Sequence, residues 1–149
     1  MQSGASVNYY NKFFAGALVV TLALPCVAQV DVGNAWVQLA PPGATVNAAY
    51  MEIHNPQLRA QTIVGVSADC CAMAMLHQTR KHDDKMSMEH LDLLVVPAQA
   101  SVQLAPGGLH IMLMKPEQEL AIDSEVKLTF SFSDGTTQDI NLGVKKNEP

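Results

Sequence analysis

The chain has 149 residues, 48% of them hydrophobic, with nine Lys+Arg against fourteen Asp+Glu. That length suits one domain with a sizeable core. An acidic balance without Lys/Arg clusters argues against nucleic acid and against anionic membrane surfaces, and it is compatible with handling cations.

Lys12 is the only charged side chain before residue 29, and it precedes the apolar run "FFAGALVVTLALP", which closes on "CVA". A lightly basic start, a short apolar segment and a small residue at Ala28 predict a secretory signal peptide, residues 1–28, cleaved from a single mature domain, residues 29–149. The apolar run is too short for a comfortable membrane span, so no stable membrane insertion is expected. Cys26 raises lipidation, but Pro25 stands where a lipidated cysteine normally has a small neighbour, and simple cleavage near Ala28 is preferred. The exported chain keeps eight Lys+Arg and fourteen Asp+Glu, a net charge of −6.

Strand character then runs nearly throughout. "AWVQLA" (35–40), "NAAYMEIHN" (47–55), "TIVGVSA" (62–68), "AMAMLHQ" (72–78), "MSMEHLDLLVV" (86–96), "SVQLA" (101–105), "HIMLM" (110–114) and "VKLTFSF" (126–132) are short and separated by turn residues. In the last of these Val126, Leu128, Phe130 and Phe132 alternate with Lys127, Thr129 and Ser131, and Asp134-Gly135 then signals a hairpin into "TQDINLGV". Loops are expected at "APPGA", "NPQ", the charged "RKHDDK" (80–85) and "APGG" (105–108), with a frayed tail over about 143–149. Seven to nine short strands with regular turns predict an all-β, two-sheet sandwich.

Export implies an oxidising compartment, where only Cys70 and Cys71 remain. Adjacent Cα atoms lie about 3.8 Å apart, below the usual disulfide range of about 4.4 to 6.8 Å. One buried and one exposed thiol is the expectation, since neighbours on a strand point to opposite faces.

The methionines are grouped. Met73/Met75, Met86/Met88 and Met112/Met114 each have strand spacing, and "HIMLM" puts His110, Met112 and Met114 on one face while Leu109, Ile111 and Leu113 share the other. For any single one of these methionines, gap filling in a β core is the ordinary explanation. A lone histidine on such a face is more often solvated than liganding. Their joint occurrence points elsewhere, because a neutral thioether is a soft donor that favours Cu(I), whereas Zn(II) prefers thiolate, imidazole or carboxylate.

From His77 the sequence counts ten residues to Met88 and twenty-one more to His110-Ile111-Met112. This spacing, H-x10-M-x21-H-x-M, resembles that of the periplasmic PCuAC-type copper chaperones. The flanks "NAWVQLAPPGATVNAAYMEIHN", "LAPGGLHIMLM" and "LTFSFSDGT" are similar to that family's first strands, site strand and closing hairpin. The resemblance implies a cupredoxin-like Greek-key β-sandwich or barrel with a Cu(I) site of His77, Met88, His110 and Met112. It also implies copper delivery in the periplasm, notably toward the copper centres of cytochrome oxidase or their assembly factors. A monomer that is not an enzyme is expected. The tail "GVKKNEP" lacks the histidines and methionines with which some members bind a second, oxidised copper ion.

Copper buffering or resistance is the alternative function. An electron-transfer cupredoxin would need a cysteine thiolate near the last strands, and residues 104–149 contain none. A metal enzyme would need an acid or base beside an open coordination position, yet Glu89 falls on the opposite strand face from Met88. A metal-free structural sandwich would leave copper affinity indifferent to Met88 and His110.

Overall fold

The computed structural model describes residues 30–83 and 85–146. The signal peptide expected over residues 1–28 lies outside them. Ten strands follow in order: β1 (Asp31–Gln38), β2 (Val46–Asn55), β3 (Gln61–Ala68), β4 (Cys71–His82), β5 (Lys85–His90), β6 (Leu94–Val96), β7 (Ala100–Leu104), β8 (Leu109–Pro116), β9 (Glu125–Phe132) and β10 (Thr137–Lys145).

They form one hydrogen-bonded sheet in the order β5-β4-β8-β7-β2-β1-β10-β9-β3-β6. Near its two ends β3 packs against β4, so the sheet folds over on itself and its halves face one another. The expected sandwich is therefore all-β as read, but its two layers are halves of one continuous sheet joined through β1, which pairs parallel to β10 and antiparallel to β2. Alternation fills the space between the halves. Val126, Leu128, Phe130 and Phe132 of β9 meet Met51 and Ile53 of β2, Leu76 of β4, and Ile111 and Leu113 of β8 in one buried cluster.

Three local expectations change. "MSMEHLDLLVV" is two strands, because β5 pairs with β4 in one half and β6 with β3 in the other, and the chain crosses between halves at Leu91–Leu93. Most of "RKHDDK" is strand rather than loop. His82 pairs with Lys85, and the charges of this segment are tolerated because the strand ends are exposed, with Arg80 Nε 2.8 Å from Glu89. Order also persists beyond residue 143, since Val144 is fully buried and β10 pairs with β1 through Lys145.

Cys70 and Cys71 are both buried and free, contrary to the one-in, one-out expectation. Cys70 sits in the turn before β4, where strand alternation does not operate. Burial, then the neighbouring Cys71, pushes the Cys70 thiol up to about 12. Burial also raises Cys71, whose thiol donates to the Met73 carbonyl at 3.3 Å. Both are held as inert thiols.

Asn55, fully buried at the end of β2, ties this strand to the segment before β7. Its amide donates to the carbonyls of Arg59, Val96 and Pro97 at 2.8, 3.1 and 3.1 Å, and its carbonyl accepts from the Gln57 N–H at 3.0 Å. Asn55→Leu strands these groups in the interior and should cost about 3 kcal/mol in urea unfolding. A loss below about 0.5 kcal/mol would show that the backbone finds other partners.

Candidate metal centre

Strand β8 runs beside β2 in line with β7, and the two are separated by the excursion Ala105-Pro106-Gly107-Gly108. Pro at the second position and Gly107 at φ +79° suit a type II turn, closed by the Gly108 N–H to the Ala105 carbonyl at 3.0 Å. The Gly108 carbonyl then accepts from two donors: the Thr79 N–H of β4 and His110 Nδ1, both at 3.0 Å. A carbonyl can only accept, so Nδ1 carries the ring proton and the lone pair of His110 resides on Nε2.

Antiparallel register places the remaining candidates. His110 of β8 lies opposite His77 of β4, and His77 lies opposite His90 of β5, giving a row of three imidazoles. The His77 and His110 ring centroids are 6.0 Å apart, and those of His77 and His90 are 5.5 Å apart. Met112 stands one strand step from His110, opposite Met75. Met88 stands opposite Thr79 on the other side of the imidazole row and is 64% exposed. Met88, His110 and Met112 line one cavity of about 310 Å³, with Tyr50, Thr79, Gly107 and the Gln38–Pro41 segment completing its wall. The four candidate residues thus gather on the outward face of β5-β4-β8, opposite the core.

His77 has the most unusual surroundings. Both ring nitrogens are buried, and neither has a hydrogen-bond partner. Burial first, then His90 and His110, lowers its pKa below the ordinary 6.5. A neutral imidazole with a bare lone pair is the form that binds a metal. Among the described residues there is no group of three or more His, Cys, Asp or Glu able to hold a metal ion, so thioether sulfur would have to complete any such site here.

Residues 30–144 match the family described as "Putative lipoprotein LpqE-like". The chain belongs to that family. It is 33% identical over 117 residues to "Putative lipoprotein Lxx21020" of Leifsonia xyli subsp. xyli (strain CTCB07), spanning 78% of this chain and 69% of that one. In structure it is similar to the copper-bound PCuAC domain from PmoF2, with a TM-score of 0.68 at 20% identity over 81% of this chain and 96% of the other, a likeness of fold alone. It is also similar to the solution structure of CuI-DR1885 from Deinococcus radiodurans, with a TM-score of 0.65 at 32% identity over 89% and 84% of the two chains. The all-β fold is that of PCuAC domains.

From the sequence His90 lies within two residues of Met88 but outside the ligand set, and Tyr50 is not singled out. His90 meets His77 only through the β4–β5 register, and Tyr50 reaches within 6.5 Å of the His110 ring only because β2 lies beside β8. Tyr50 carries no local spacing signal, whereas His90 shares the face of Met88 by strand spacing.

The lowered pKa of His77 has a consequence for the metal-free chain. On acidification the unfolded chain takes up this proton before the folded one, so the stability held above pH 6.5 is lost as pH falls through the unfolded and then the folded value. Urea unfolding at about pH 7.5 and about pH 5 should show a smaller acid loss in His77→Leu than in the parent. Equal losses would mean that His77 protonates as readily in the fold as in the unfolded chain.

Proposed function

We propose that the chain is an exported copper carrier that holds one Cu(I) through His77, Met88, His110 and Met112. It passes the ion to a copper-accepting protein of the periplasm or inner membrane, such as a cytochrome oxidase copper centre or its assembly factor. His77, with two buried and unpartnered nitrogens beside the free Nε2 of His110, carries this reading. An imidazole desolvated in this way is costly unless a lone pair meets an acceptor of electrons. The donor set of two neutral imidazoles and two neutral thioethers selects a soft monovalent ion over Zn(II) or Mg(II). The copper-bound state of the PmoF2 domain and the Cu(I) state of DR1885 agree with this ion.

Within the site the residues divide their work. The Gly108 carbonyl fixes the His110 tautomer and aims Nε2, as an outer hydrogen bond does for a metal-binding histidine. Burial keeps His77 neutral. Met112 is half-buried and anchored in a central strand, whereas Met88 lies on the edge strand β5 and is exposed. Met88 is therefore the donor that an incoming thiolate or imidazole can displace first. Carriage rather than catalysis follows, with export to the periplasm. The lipoprotein names of the family and its relative accord with an envelope location, and a lipid on Cys26 would tether the domain without altering its site.

Anaerobic titration against a chromogenic Cu(I) chelator should give one tight equivalent, weakened at least about tenfold by Met112→Ala and scarcely changed by Met114→Ala. X-ray absorption should find both nitrogen and sulfur around the ion; light neighbours only would sink the assignment. In stopped-flow mixing, transfer should accelerate with acceptor concentration. A rate pinned at spontaneous dissociation would exclude hand-over through a docked complex.

A further inference from the structure

Strands β4 and β8 continue past the imidazole row, and their register there brings methionines together twice: Met75 opposite Met112, and Met73 opposite Met114. Directly opposed residues have Cβ atoms about 4.5 to 5.5 Å apart, and the two rows are separated by one strand step of about 6.6 to 6.8 Å. Four long, flexible thioethers therefore occupy one small patch of the outward face. All four are half-buried, while Leu76, Ile111 and Leu113 fill the core on the other side of the same strands. Core packing does not account for them. On a half-exposed sheet face a β-branched residue fits the pleat better, and what methionine adds there is a polarizable sulfur donor.

We propose that Met73, Met75 and Met114 form a second binding site for a soft monovalent cation, Cu(I) or Ag(I). Met112 is the wall that it shares with the His/Met centre. Three neutral thioethers suit such an ion and offer nothing to Zn(II), Ca(II) or Mg(II). Cys71 closes the far end of the patch, opposite Pro116, with its buried thiol donating to the Met73 carbonyl. A cation here lies roughly one strand step from one held by His77 and Met112, so the two repel and the second binds more weakly. The patch gives the chain a holding position beside its main centre. This goes beyond the one-ion carrier and stands on a different set of side chains.

Native mass spectrometry and calorimetric titration with silver nitrate test it, Ag(I) being free of redox side reactions, in a parent exported chain that carries Cys70→Ala and Cys71→Ala so that thiols take up no silver. Two ions per chain are expected, the second bound at least about tenfold more weakly than the first. The triple variant Met73→Leu, Met75→Leu, Met114→Leu, close in volume to the parent, should bind one ion with the first affinity unchanged. A parent that binds only one ion, or a triple variant that still binds two, would overturn the proposal. In the parent, the ε-methyl resonances of Met73, Met75 and Met114 should move with the second equivalent, and their staying still would overturn it even if the triple variant misfolds. Failure of the one-ion reading shows separately, as a first equivalent that His110→Ala does not weaken.

Discussion

The register between β4 and β8 is the constraint on which the rest depends. Each strand carries two kinds of side chain on a period of two, and core burial of Leu76, Ile111 and Leu113 decides which kind faces outward. A slip of one residue would put His110 and Met112 into the core and expose the leucines, so hydrophobic burial holds the site in register. Once Leu76 is opposite Ile111, His77 must stand opposite His110 and Met75 opposite Met112. The chemistry of the outward face is thus stabilised by the inward one.

On that frame, one backbone feature and one side-chain feature shape the face. The Ala105–Gly108 excursion presents a carbonyl to which His110 can bond only through a protonated Nδ1, which leaves its Nε2 free. The closely packed row of His90, His77 and His110 buries the central ring, so its neutral form is favoured by desolvation and by its two neighbours. Binding strength and exchange are then separable. His77, His110 and Met112 sit on inner strands, while the exposed edge strand β5 carries Met88, so in the proposed site that donor could be exchanged without opening the core.

The sulfur chemistry is sorted by depth. Both thiols are buried near the β3–β4 turn and raised in pKa, which keeps them from reacting as thiolates. Six thioethers, by contrast, lie on the three strands of the outward face. Neutral sulfur binds a soft ion without adding charge.

Strand alternation made much of this legible in the one-dimensional chain. The two faces of β8, the Asp134-Gly135 hairpin and the all-β class depend on a period of two or on local turn chemistry, and both are written in neighbouring residues. The grouping of His77, Met88, His110 and Met112 was suggested by spacing, through resemblance to a family. Other features belong to tertiary structure alone. The split of residues 86–96 between two halves, the continuation of β10 through Lys145 and the burial of both cysteines each depend on which distant strand lies alongside. The same holds for the imidazole row and the paired methionines. Local sequence sets which face a side chain takes, but cross-strand neighbours come from long-range register, and that is chosen only when the whole core closes.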